Sequence, residues 1–187
     1  IDLSKEAIDK DHELYHALVS KQYKKIAYNA NFERTCLQSY FDISLPVEQW
    51  ECTMVKASML GLPLSLDAAS KALKLSEKKD SAGKALIRYF SIPCKPTKTN
   101  GMRTRNYPSD DYVKWEEFKQ YCIQDVKTEM AIGKKIEFFE LPESEKQLWY
   151  LDQKINDLGV LIDKPFVLNA IKHDLEYREH ARRNSYT

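Results

Sequence analysis

The sequence lacks the features that most directly assign a function. Its 187 residues carry 29 Lys and Arg against 28 Asp and Glu, a formal net charge of +1, so it has none of the basic excess common in nucleic-acid-binding domains. No apolar run approaches the ~20 residues of a membrane-spanning helix. Residues 1–6 resemble neither a signal nor a transit peptide. These absences predict a cytoplasmic protein with no membrane contact, and the missing initiator Met predicts a piece of a longer chain.

Zinc-binding and phosphate-binding motifs are missing as well. The Gly83-Lys84 pair has no Gly five positions upstream and no Ser or Thr after it, so it is not a phosphate-binding loop. The cysteines form no Cys-x-x-Cys pair and have no His at zinc spacing; they are Cys36, Cys52, Cys94 and Cys122. We therefore expect reduced thiols.

Helical periodicity dominates the chain. It predicts helices over residues 10–20, 32–40, 50–60, 65–73, 80–90, 115–135 and 141–157, and from 165 towards the end. Short strands are predicted over 24–28 and 159–163, and three Pro and one Gly over 92–111 predict a long loop. The expected class is α/β with few strands, which is typical of a domain whose N-terminal strands are absent. Asp11 is predicted to be the N-cap or a first-turn acid of the first helix.

Two groups of polar residues stand in patterns suited to metal-dependent chemistry. Tyr121 and Asp125 lie four apart on a predicted helix and project from one face. There the carboxylate can hold a divalent metal and the phenol can bond the metal-activated water. At a predicted strand-to-helix junction, Glu33 can reach a metal, Asn29 can bond a phosphate or sugar, and Phe32 can pack against a base or the core. An exposed helical pair and an N-capping Asn are the ordinary alternatives.

Together, the two motifs resemble the second and third motifs of the DEDD 3′→5′ exonucleases, in the subclass with a motif-three Tyr. Residues 52–63 resemble the helix between these two motifs, and residues 83–96 resemble a segment of phage-encoded and prophage-encoded family A DNA polymerases. Residues 155–163 resemble the segment that joins exonuclease and polymerase regions in that family. The resemblance covers nearly the whole chain. It implies a truncated ribonuclease H-like exonuclease domain over 1–140 and the start of the polymerase region, a short helical extension, over 141–187.

The resemblance implies a proofreading role in a bacterial or phage-infected cell. Glu33, Tyr121 and Asp125 would be catalytic, with Glu33 and Asp125 as ligands of two Mg²⁺ or Mn²⁺ ions roughly 3.5–4 Å apart. The substrate would be the single-stranded 3′ end of a DNA primer, with Asn29 and Phe32 in contact with it.

The chain departs from the family pattern at two places. Motif one, an Asp-x-Glu after an apolar strand, has its only upstream match at residues 11–13, which follow no such strand. Glu33 stands where the superfamily usually has Asp, and the extra methylene moves the carboxylate by roughly 1.5 Å. We therefore expect this piece to be a poor nuclease by itself.

The segment 95–105 holds four basic residues and no acid. Contact with DNA phosphates and a solvated surface loop both explain Lys95, Lys98, Arg103 and Arg105.

Two other functions stay open. One is a degenerate, non-catalytic exonuclease domain that binds DNA or braces a polymerase. The other is a free-standing ribonuclease of the same superfamily, against which residues 159–163 argue. In either case a sheet without its first strands exposes an edge, which favours an oligomer.

Overall fold

The computed structural model describes residues 2–75 and 83–184, and most of them are helical. The helices are α1 (Glu13–Val19), α2 (Ala30–Phe41), α3 (Thr53–Met59), α4 (Leu66–Ala72), α5 (Gly83–Ser91), α6 (Tyr112–Lys135), α7 (Glu143–Leu158) and α8 (Lys164–Asn184). The strands are β1 (Lys25–Ala27) and β2 (Trp50–Cys52), and short 3₁₀ turns cover Val47–Gln49, Lys98–Asn100 and Pro108–Asp110. Within this part of the chain, the expectation of a predominantly helical fold with few strands is confirmed.

The two strands are parallel, with Ala27 opposite Cys52, and α2 forms part of the connection between them. Ala27 and Cys52 are buried with Trp50 in a core cluster, whereas Ile26 on the other face is 57% exposed. Within the described part of the chain each strand has one unpaired edge. Oligomer formation through such an edge stays a prediction.

The predicted helix over 50–60 is wrong at its start. Residues Trp50–Cys52 form β2, and the helix begins only at Thr53. Pairing with β1 explains the difference, because Trp50 and Cys52 alternate with the more exposed Glu51 as period-two strand residues do.

A second core cluster joins three helices. Ala57 of α3, Ala69 of α4, and Ile132 and Ile136 at the end of α6 are at most 1% exposed. The alanines let the helix backbones approach closely, and burial of each isoleucine contributes about 1.5–3 kcal/mol. This cluster fixes α6, the helix of Tyr121 and Asp125, against the helices that follow β2.

Two further expectations are corrected at helix starts. The N-cap of α1 is His12, whose Nδ1 accepts from the backbone N–H of Leu14, and not Asp11. Residues 159–163 form no strand. Gly159 adopts a left-handed conformation with φ 68°, and Asp163 accepts at 3.0 Å from the N–H of Phe166 to cap α8.

Contacts divide the chain into two units, residues 1–150 and 151–187. This division falls inside α7 and does not test the predicted functional boundary between residues 140 and 141, which stays a prediction. Residues 80–82 of the predicted helix over 80–90 lie outside the described residues. Within 2–75 and 83–184, no helix has both the length and the apolar character needed to cross a membrane.

Candidate functional site

The candidate site begins where the two parallel strands end. Ala27 and Cys52 are paired at the carboxyl ends of β1 and β2, so α2 and α3, which start at Ala30 and Thr53, begin at the same edge of the sheet. Asn29 makes the turn into α2 with a left-handed backbone, φ 64°, and its side chain makes no capping bond. Asn29 is thus the N-cap residue of α2 by position, as the ordinary explanation has it, but its side chain does not cap the helix.

Glu33 lies in the first turn of α2 and is half-buried. Its Oε2 atom is buried and has no hydrogen-bond partner among the residues that the structure describes. Burial raises the pKa of the Glu33 carboxyl above its ordinary value. The carboxylate therefore carries a desolvation cost, and a hydrogen bond from the backbone N–H of Glu33 itself offsets only part of it.

A second acid, Glu129 of α6, lies close to Glu33. The hydroxyl of Thr53, the first residue of α3, donates to Glu129 Oε1 at 3.1 Å. Burial raises the pKa of Glu129, the Thr53 bond lowers it, and the negative charge of Glu33 raises it further. Glu129 was not a sequence-predicted site residue, and the available signal was its position four residues after Asp125, on the same helical face.

Asp125 is half-buried on α6, one turn before Glu129. The structure thus places Glu33 within electrostatic range of the helical face that carries Asp125, and the acid shown to interact with Glu33 is Glu129. Within residues 2–75 and 83–184, no three His, Cys, Asp or Glu side chains are grouped so that they could hold a metal ion. The assignment of Glu33 and Asp125 as metal ligands stays a prediction.

Tyr121 is 5% exposed, and packing fixes its ring. The ring stacks on Phe118 with centroids 6.2 Å apart and planes 8° from parallel. On α5, a Cβ atom added to Gly83 would lie 2.0 Å from Tyr121 Cε2. Only glycine leaves room for the ring, so α5 and α6 together determine where the phenol lies.

The two proposed DNA contacts beside Glu33 are accessible. Asn29 is exposed, and Phe32 has 63% of its surface exposed. Phe32 therefore does not pack into the core, which leaves its ring available to stack against a base.

The predicted loop over 92–111 is held by its own side chains. Asn100 donates to the carbonyl of Lys95 at 2.8 Å and accepts from the N–H of Thr97 at 2.9 Å. Arg103 forms an ion pair with Asp110 at 3.1 Å, and its Nε donates to Asn106 at 2.9 Å. Among the four basic residues, Lys95, Lys98 and Arg105 are exposed. Arg103 is half-buried and makes its contacts within the loop.

Comparison with known proteins finds a phage DNA polymerase. The relative is the DNA polymerase of Bacillus phage SP02, which is 59% identical to this chain over 167 residues. These residues are 89% of this chain and 26% of the phage protein, so the chain spans about a quarter of its relative's length. No protein-family model and no solved structure matches the chain.

Proposed function

We propose that this chain is part of an enzyme, a phage-type, family A DNA polymerase. We also propose that Glu33, Tyr121 and Asp125 belong to its proofreading 3′→5′ exonuclease site. The similarity to the SP02 DNA polymerase supports the polymerase assignment. The exonuclease assignment rests on one observation: half-buried Glu33 follows β1 and interacts electrostatically with Glu129 of α6, which lies one turn after Asp125. A ribonuclease H-like fold is part of the same proposal.

The donor set fits a hard divalent cation only in part. Carboxylate oxygens are the ligands that Mg²⁺ and Mn²⁺ prefer, and Glu33 offers a buried oxygen without a protein partner. Glu33 and Asp125 would hold the metal. When bound, the ions would activate water for attack on the terminal phosphodiester and stabilise the departing 3′ oxygen.

The protein's own residues position the substrate. The ring of Tyr121, held against Phe118 and Gly83, would direct its hydroxyl towards the attacking water. Phe32 offers an exposed ring for the 3′-terminal base, and Asn29 a polar side chain for its phosphate or sugar. Lys95, Lys98 and Arg105 are exposed for phosphate contact. Such an enzyme would work in the cytoplasm of a bacterial or phage-infected cell.

The test measures shortening of a labelled single strand of DNA by the polymerase that carries this segment. Asp125→Asn and Glu33→Gln are each expected to lower the Mg²⁺-dependent exonuclease rate at least about 100-fold while DNA synthesis persists. Asp174→Asn is the matched control, because Asp174 is exposed and pairs with Arg178 at the surface. Unchanged exonuclease rates in both site variants would refute the assignment.

The 187-residue chain alone should shorten DNA little or not at all, since its sequence holds no Asp-x-Glu after an apolar strand. Rapid Mg²⁺-dependent shortening that Asp125→Ala abolishes would contradict this expectation.

A second candidate is a non-catalytic exonuclease domain that binds DNA or braces the polymerase. It is favoured by Glu33 in place of Asp and by the lack of a three-ligand metal group among the described residues. A polymerase that binds single-stranded DNA through this domain yet shows no exonuclease activity would establish it. The match to a DNA polymerase argues against a free-standing ribonuclease.

A further inference from the structure

A cavity of about 510 Å³ lies beside the two-stranded sheet, and we call it the Trp50 cavity. Its wall comes from β1 and β2, the start of α3, the end of α6 and the first half of α7. Neither Glu33, Tyr121, Asp125 nor Glu129 lines it. It therefore differs from the candidate exonuclease site, and its volume is in the usual range for small-molecule sites.

The aromatic part of the wall comes from Trp50, Trp149 and Tyr150. Trp50 is 3% exposed, and its indole Nε1 is fully buried with no hydrogen-bond partner among the described residues. The Trp50 N–H is therefore out of reach of a ligand in the cavity. Trp149 and Tyr150 add two rings with centroids 5.7 Å apart, which offer π-faces to a planar group.

Four lysines also line the cavity, and two of them are already engaged. Lys24 is paired with Glu51 at 2.6 Å, and Lys146 with Glu143 at 3.6 Å. The other two, Lys56 and Lys134, form no ion pair within the described part of the chain. They leave two cationic groups available to an anion, and Lys is a common phosphate ligand.

Two acids complete the charged lining. Glu137 and Glu140 also form no ion pair with any described residue. Carboxylates accept hydrogen bonds from the exocyclic amino groups of nucleobases. A simple anion would therefore use the lysines alone, whereas a ligand with a phosphate, a planar ring and amino groups would use the whole lining.

We propose that the Trp50 cavity binds a nucleoside phosphate, either free or as the end of a single DNA strand. The base stacks against Trp149 and Tyr150, and the phosphate lies between Lys56 and Lys134. This proposal does not depend on the exonuclease assignment, because none of the residues that it assigns to the ligand belongs to that site.

The test titrates the 187-residue chain with three probes: 2′-deoxyadenosine 5′-monophosphate, deoxyadenosine without phosphate, and a 5′-phosphorylated deoxyadenosine tetranucleotide. Binding is measured by calorimetry and by tryptophan fluorescence. Lys56→Ala and Lys134→Ala are each expected to weaken phosphate-bearing probes about tenfold or more. Lys135→Ala is the matched control, because Lys135 follows Lys134 on α6, is exposed and does not line the cavity.

The probes separate the two sources of the ligand. If the mononucleotide binds, and the two cavity lysine variants weaken its binding while Lys135→Ala does not, the ligand is a free nucleotide. If only the tetranucleotide binds and the same variants weaken its binding, the ligand is a DNA end. The proposal is overturned if neither phosphate-bearing probe binds below about 1 mM. It is also overturned if deoxyadenosine binds as well as its phosphate, or if Lys135→Ala weakens binding as much as Lys134→Ala.

Discussion

Replacing Gly83 with alanine tests whether α5 holds the ring of Tyr121 where the structure places it. The new Cβ would lie 2.0 Å from Cε2, 2.3 Å from Cδ2 and 2.5 Å from Cζ of that ring. Favourable carbon–carbon contacts are about 3.5–4.0 Å, so the ring or the helix must move by more than about 1 Å. Tyr121 stacks on Phe118, and Phe118 stacks on Phe90 with centroids 5.6 Å apart, so a moving ring disturbs its neighbours.

The magnitude follows from two opposing effects. Overpacking a filled site costs about 1–3 kcal/mol, and the large overlap at Gly83 places the cost near the upper end. Alanine is favoured over glycine in a helix by about 0.5–1 kcal/mol, and only part of that gain applies at the first residue of α5. The net destabilisation should be about 2 kcal/mol, which lowers the melting temperature by roughly 4–8 °C in a chain of this size.

Thermal and urea unfolding of matched variants provide the assay. Gly133→Ala makes the same chemical change inside α6, where a new Cβ would meet nothing within 4 Å. It should therefore stabilise the protein by about 0.5–1 kcal/mol. In a Tyr121→Ala background the penalty of Gly83→Ala should disappear, which gives a coupling energy of about 2 kcal/mol. A Gly83→Ala protein as stable as wild type, or a penalty that persists without the Tyr121 ring, would refute the reasoning.

Two further predictions concern Glu129 and the loop after α5. Because the folded-state pKa of Glu129 is raised, its stability contribution is complete below the unfolded pKa of about 4.3 and is lost as pH rises through the folded pKa. Glu129→Gln should therefore raise the melting temperature at pH 7 and change it little at pH 3.5. The control Glu117→Gln, at an exposed position on the same helix, should leave the melting temperature unchanged at both pH values. An equal shift at both pH values in Glu129→Gln would contradict this. Asn100→Ala removes the hydrogen bonds to Lys95 and Thr97 and should speed hydrogen exchange over residues 95–104. The control Thr99→Ala should have a smaller effect. Unchanged protection in Asn100→Ala would show that other contacts order the loop.

The sequence predicted the long helix α6 and the strand β1 well, but it missed β2 and wrongly placed a strand over 159–163. The helix α6 follows from a periodic face that buries Tyr121, Thr128 and Ile132. Strand β2 has only three residues, and it exists because it pairs with β1 some 25 positions earlier, a tertiary contact that local periodicity does not contain. Residues 160–162 are apolar enough to suggest a strand, yet they are at least 61% exposed and pair with no described residues.

In the candidate site, too, local patterns predict some features, whereas others depend on tertiary contacts. The spacing of Tyr121 and Asp125 places them on one face of a helix, and the strand-to-helix junction places Glu33 near the edge of the sheet. The interaction of Glu129 with Glu33 and Thr53 needs three segments in space, so no local pattern predicts it. The sequence groups Arg103 with the other basic residues as a predicted DNA contact, because composition does not show its ion pair with Asp110.

The pairing of Glu33 with Glu129 also bears on whether this region is a functional site or ordinary scaffold. Burial raises the pKa of both carboxyls, and the charge of Glu33 raises that of Glu129 further, so both ionised side chains destabilise the fold at neutral pH. The hydroxyl of Thr53 compensates in part at Glu129, and the backbone N–H of Glu33 compensates in part at Glu33. Scaffold positions with this burial would be more stable with neutral residues, and costs of this kind are expected where a ligand must be bound. If Glu129→Gln stabilises the polymerase at pH 7 and leaves its exonuclease activity intact, the cost has another origin, and this support for the proposed site is lost.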